Sequence, residues 1–159
     1  MPVDPRVLED FYAHESFGAP ENAVGFVLWR VMHRYQRAVD RALASLDLTH
    51  LQFTTLAMAG WLCRSGEAGT QAELARRADI HVMQVSLMLK TLEAKGLVAR
   101  APSASDPRAK RVEITADGLE ALRAAMPVVM SIQRRMFGEA GAPEGQLAIE
   151  LRAVEAKPE

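Results

Sequence analysis

The sequence predicts a mainly α-helical protein carrying one small β-hairpin, an α+β fold, and three observations lead there. Apolar residues recur at three- and four-residue spacing through most of the 159 residues. Helix-start signals recur at Thr49, Thr70 and Thr115. Alternation of apolar and charged residues occurs once, in "KRVEIT", shortly after "GLVAR".

Taken in order, Asp4 followed by Pro5 suits a helix start, and Val7, Leu8 and Phe11 give a short apolar stripe before the break at "SFGAPEN". From about residue 21 to 46 apolar residues fall at 24, 27, 28, 31, 32, 35, 39, 43 and 46, the spacing of one long amphipathic helix. Thr49 and Gln52 have the form of a capping box, in which each side chain satisfies an orphan donor of a new first turn; that helix runs to about Arg64. Thr70 and Glu73 repeat the pattern before "TQAELARRA", which ends near Asp79, a residue type tolerant of left-handed turns. A further helix follows at once, with Val85, Met88, Leu89 and Leu92 inward, His81 at its cap and Gly96 as its stop. "GLVAR" and "KRVEIT" then form a two-stranded hairpin. Thr115 caps a helix with Leu119, Leu122, Met126, Val129 and Met136 on its inner side and Pro127 bending it. A last helix over about 143–156 buries Leu147, Leu151 and Val154.

Composition narrows the class. The length suits one compact domain or two small lobes. Cys63 is the one cysteine, so an intrachain disulfide is impossible and a cysteine-based zinc site is not expected. A buried, inert thiol is. His14, His33, His50 and His81 lack metal-ligand spacing, and no cofactor is expected. The start "MPVDPRVLEDFYAHE" lacks the basic end and apolar run of a secretion signal, and stretches such as "AVGFVLW" fall far short of the ~18 residues that span a bilayer. A cytoplasmic protein without membrane contact is expected. No paired nucleophile and base or phosphate-binding glycine loop argues for an enzyme.

Charge is unevenly spread. Residues 87–111 hold Lys90, Lys95, Arg100, Arg108, Lys110 and Arg111 against Glu93 and Asp106, six cations to two carboxylates, in a chain of formal charge -1. Such an island on an acidic body attracts polyanions locally. Two short helices joined by a three-residue turn, followed by a basic hairpin, describe a winged helix-turn-helix, with the second helix in the DNA major groove and the hairpin in the neighbouring minor groove. Candidate DNA contacts are Thr70 and Gln71 at the first helix start, Gln84, Ser86, Lys90 and Thr91 on the second helix, and Arg108, Lys110 and Arg111 on the wing. Asp106 would orient Arg108. The outward positions Val82, Met83 and Leu87 are apolar, which leaves thymine methyl groups as their partners in an A/T-rich operator, or else turns them toward the protein or a ligand.

In this order and spacing, "LDLTHLQFTTL", "TQAELARRADI", "KTLEAKGLVAR" and "SDPRAKRVEITADG" resemble the MarR family of bacterial transcription regulators, over most of the chain. The resemblance implies a homodimer in which the first and last helices of both subunits interlock. It also implies double-stranded DNA with a pseudopalindromic operator as partner, and a cleft for a small-molecule effector. Residues 1–47 and 115–159 would form the helical dimerisation region and 48–114 the DNA-binding lobe. Apolar surface on the terminal helices in excess of what one lobe covers supports the dimer independently. Trp29, His33 and Arg37 are candidates for the cleft, suited to an aromatic or anionic molecule; Trp61 reads as core. The expected function is a ligand-responsive regulator, most often a repressor in this family. The alternative is a winged-helix interaction or architectural module that reads DNA loosely.

Overall fold

The computed structural model describes residues 1–65, 69–102 and 110–157. By its internal contacts the chain forms two compact units, Met1–Ala38 and Val39–Glu159.

In the first unit, α1 (Pro5–His14) starts as the sequence predicts: the Asp4 carboxylate accepts from the Arg6 amide at 2.9 Å and Pro5 occupies the first turn, where its missing N–H costs nothing. The long helix α2 (Val24–Leu43) is shorter than the expected 21–46 and is flanked by tight 3-10 turns at Pro20–Asn22 and Ala44–Leu46. Pro20 fixes the entry, and Asp47, left-handed at φ 52°, ends the exit. No residue from 1 to 38 is buried within the chain, so the apolar stripes of α1 and early α2 lie open.

The second unit holds the core. Val39 and Leu43, at the end of α2, are fully buried. The capping box at α3 (His50–Cys63) forms as predicted: Thr49 Oγ1 accepts from the Gln52 amide and Gln52 Oε1 from the Thr49 amide, each at 3.2 Å. Asp40 Oδ1 accepts from the His50 amide at 2.6 Å, joining the end of α2 to the same first turn. Helix α3 is the hub of the unit, burying Phe53, Thr55, Leu56, Ala59 and Leu62 against the elements that follow. Buried Thr55 satisfies its hydroxyl by donating to the Leu51 carbonyl at 2.8 Å.

A third strand, absent from the sequence-based expectation of a two-stranded hairpin, completes an antiparallel sheet of order β1-β3-β2: β1 (Gly69–Thr70), β2 (Val98–Pro102) and β3 (Lys110–Ile114). Gly69 pairs with Val112, and Arg100 with Val112 on the other side. Two residues give no alternation to detect, which is why β1 escapes a periodicity search. The absence of a side chain at Gly69 lets β1 lie against Leu62 of α3: a Cβ there would sit 2.8 Å from its Cδ1.

Helix α6 (Ala116–Phe137) begins where Thr115 Oγ1 accepts from the Gly118 amide at 3.0 Å and donates to the Gly96 carbonyl at 2.7 Å. Gly118 presses onto the Leu97 carbonyl so closely that any side chain would collide with it. The helix continues through exposed Pro127. Its buried stripe is Gly118, Leu122, Ala125, Val129 and Ile132, whereas Leu119 and Met126, expected inward, are exposed. The reason is phase. Glycine and alanine, which carry little apolar weight in a sequence pattern, mark the close-packed face, and the larger neighbours point away. Helix α7 (Gln146–Glu155) buries nothing within the chain, and Leu151 and Val154, expected inward, are exposed.

Candidate nucleic-acid interface

Helices α4 (Gln71–Ala78) and α5 (Val82–Ala94) make the predicted pair with residues 79–81 between them. Asp79 takes the left-handed conformation at φ 49°, and the Ile80 amide closes the turn on the Ala75 carbonyl at 3.0 Å. His81 caps α5, its Nδ1 accepting from the Met83 amide at 3.3 Å. At α4 only half of the expected reciprocal cap forms. Thr70 Oγ1 accepts from the Glu73 amide at 3.1 Å, but the Glu73 carboxylate turns to Arg77 Nε at 3.2 Å. A cation one helical turn away outcompetes a backbone amide for that carboxylate.

The inward side of α5 is Val85, Leu89 and Leu92, all fully buried, with Met88 half-buried. Outward lie Val82, Met83, Gln84, Leu87 and Lys90, all exposed, while Ser86 and Thr91 are half-buried at the margins. The alternative that Val82, Met83 and Leu87 turn into their own lobe is therefore overturned, since α5 spends its one inward face on aliphatic residues already. Thr91 Oγ1 donates to the Leu87 carbonyl at 3.1 Å, which commits its proton to the helix. Thr70 and Gln71 are half-buried at the amino end of α4.

The basic island is smaller than its composition suggests. Lys95 Nζ contacts Asp47 Oδ2 at 2.9 Å, the Asp47 carbonyl, and Gln52 Oε1 at 3.3 Å, so this cation ties the end of α5 to the turn before α3. Arg100 donates through Nε and a terminal nitrogen to Glu93 Oε2. That hydrogen bond, aided by the Arg100 charge and more distantly by Lys110 and opposed by desolvation, holds the Glu93 carboxyl below its usual pKa. Arg111 lies 3.1 Å from Glu113 Oε1. Lys90 and Lys110 are exposed. Asp106 and Arg108, the expected wing pair, lie outside the described residues.

Aromatic side chains lie exposed on α2 and α3. On α2, Phe26 stacks on Trp29 with centroids 6.1 Å apart, Trp29 meets His33 at 4.3 Å, and the Arg30 guanidinium lies 5.7 Å from the Phe26 centroid. Trp29 and His33 are thus brought together as expected, with Arg37 exposed one turn further on. Phe26 and Arg30 were missed, although the spacing 26, 29, 30, 33 is visible in the sequence. Trp61, expected in the core, is 55% exposed beneath the Arg64 guanidinium, 3.6 Å from its ring centroid. Position 61 lies on the solvent side of the last turn of α3; Ala59 and Leu62 occupy the inner side. Cys63, expected to be buried, is half-buried, and its thiol donates to the Val112 carbonyl at 3.3 Å. Among the described residues no cluster of ligating side chains could hold a metal ion, and no helix is long and apolar enough to cross a membrane.

A capped helix pair whose second helix turns a face outward, followed by a three-stranded antiparallel sheet in which β2 and β3 pair, defines a winged helix-turn-helix protein. The MarR family model matches residues 48–110, from the turn before α3 to the start of β3. The HTH-type transcriptional regulator YdcH of Bacillus subtilis is 36% identical over 85% of this chain and 92% of its own. The HTH-type transcriptional repressor Rv2887 of Mycobacterium tuberculosis is 31% identical over 79% and 88%. Among solved structures, CouR of Rhodococcus jostii bound to p-coumaroyl-CoA superimposes with a TM-score of 0.72 at 27% identity, covering 86% of this chain and 92% of that one. CouR bound to a 23-mer DNA duplex shares the fold at a TM-score of 0.74 and 24% identity, over 89% and 98%. The chain belongs to the MarR family of transcriptional regulators, a family of dimers.

Proposed function

We propose that the chain is a dimeric, sequence-specific repressor that places α5 of each copy in successive major grooves of a pseudopalindromic operator and is released by a small aromatic or anionic effector. It works in the cytoplasm, without catalysis. The observation that carries this reading is the outward face of α5, whose exposed side chains are left unused by its own lobe. In this reading Gln84 bonds an adenine edge, Ser86 and Lys90 bond phosphates or base edges, Lys110 and Arg111 meet the backbone beside the wing, and Arg108 enters the minor groove oriented by Asp106. Thr70 and Gln71 present the amino end of α4 to a phosphate, and Thr91 packs at the margin.

Residues 1–47 and 115–159 form the dimerisation region and 48–114 the DNA-binding lobe in this reading. Exposed Leu28, Met32, Leu151 and Val154, each on a helix with an otherwise polar opposite face, support a second copy as their cover. The exposed ladder of Trp29 and His33, extended by Phe26 and Arg30, with Arg37 beyond it, supports a planar acid as effector, since it supplies stacking faces and cations on one helix. The thioester ligand of CouR, built on an aromatic acid, agrees with that class.

The test is selection of bound fragments from genomic DNA, followed by titration of the recovered site with a panel of aromatic acids while following Trp fluorescence and DNA release. A palindromic site preferred over scrambled DNA, and lost on adding one acid, is expected. In Arg108→Ala the salt slope should fall by about one phosphate contact. Equal affinity for all fragments would replace this reading with that of a loosely binding architectural module.

A further inference from the structure

We infer that α5 reads its operator chiefly by apolar contact with C5-methyl groups of thymine, and that Met83 and Leu87 are the residues that set this specificity. The inference rests on the DNA-binding reading above and names what that site recognises.

The amino-terminal two turns of α5, the part that approaches base edges when such a helix enters a major groove, carry Val82, Met83 and Leu87 at 44%, 69% and 59% exposure. Met83 and Leu87 are four residues apart and share one helix face, with Lys90 continuing it a turn later. This face is unlike a protein-docking stripe in its ends. The helix has no acidic residue in its first turn, its single carboxylate, Glu93, is neutralised by Arg100 at the far end, and the exposed cation Lys90 follows the apolar pair directly. A positive helix terminus and a lysine bracketing an apolar patch complement a polyanion.

Within a major groove, the one sizeable apolar group on the floor is the methyl at C5 of thymine, and it stands among hydrogen-bond donors and acceptors. An exposed Met and Leu desolvated against that floor without a methyl partner would strip water from polar base edges and return nothing. Polar readout from this helix is correspondingly sparse, because His81 Nδ1 is taken by the cap and the Thr91 proton by the Leu87 carbonyl. Beside half-buried Ser86 and the cation Lys90, Gln84 is the exposed amide of these turns, and it fits the adenine opposite a thymine. Methyl contact and adenine bonding thus select the same base pair through its two bases, both within the major groove.

The experiment uses the 159-residue chain and its selected operator, with thymines replaced singly by deoxyuridine, which deletes the methyl and keeps Watson–Crick pairing. Affinity is read by fluorescence anisotropy. One or two thymines per half-site should each lose about 4-fold on replacement, the worth of one buried methyl. In Leu87→Ala or Met83→Ala the uridine and thymine operators should bind alike at the matching position, and since both side chains are exposed, unchanged thermal melting checks that the fold is intact. If uridine operators bind as tightly as the thymine operator while both still outcompete scrambled DNA, the repressor reading stands and methyl readout is wrong. If a uridine penalty persists undiminished in both alanine variants, it arises from duplex shape, and the inference is likewise overturned. If no DNA is preferred at all, both readings fall together.

Discussion

Helices α2 and α3 carry comparable apolar content, yet they end in opposite situations. Through residue 38, α2 buries nothing within its chain, while α3 buries five residues and serves as the hub of the second unit. Helical periodicity reports that a face wants cover; it is silent on whether the cover comes from the same chain. The polar residues make the difference intelligible. In α2 arginines line the opposite side, as on a helix meeting its partner on one stripe, whereas α3 has apolar or small residues nearly all round, as expected for a helix enclosed by its own lobe.

The strongest way to break this comparison acts on the second unit alone. Gly118→Ala places a methyl group against the Leu97 carbonyl, where the backbone of the β2 entry cannot yield without losing the Thr115–Leu97 hydrogen bond. A loss of about 2 to 4 kcal/mol of unfolding free energy is expected from urea melts. The double variant Leu28→Asp, Met32→Asp sharpens the contrast from the other side. It should raise the dimer dissociation constant at least ~100-fold in sedimentation equilibrium, because each copy loses two apolar anchors, while α3 and its surroundings keep their core. If that variant instead melted the lobe and stayed dimeric, the assignment of the exposed α2 stripe to a second copy would be wrong.

The smallest effect concerns the island of charge. Because the Arg100 hydrogen bond lowers the Glu93 pKa in the folded chain, the pair contributes stability above the ordinary carboxylate range and loses it as pH falls through the lowered value. Glu93→Gln should therefore flatten the acid side of the stability profile slightly and leave neutral-pH DNA affinity nearly unchanged. A large gain in DNA affinity would mean instead that Glu93 had been restraining a cation, Arg100, that DNA uses.

Local chemistry made much of this protein legible without coordinates. Caps at Asp4, Thr49, His81 and Thr115, the left-handed Asp79 and the stop at Gly96 each depend on a residue and its nearest neighbours along the chain, so the sequence alone determined the order of helices, the helix-turn-helix and the inward side of α5. Only the tertiary structure decided what depends on distant partners: that two-residue β1 joins the sheet, that Leu119 and Met126 yield the inner face of α6 to Gly118 and Ala125, that Trp61 stays outside, and that Lys95 and Arg100 are spent on Asp47 and Glu93. Spacing along a chain fixes direction around a helix axis, whereas burial and ion pairing are properties of what arrives from elsewhere, and one helix cannot specify its neighbours.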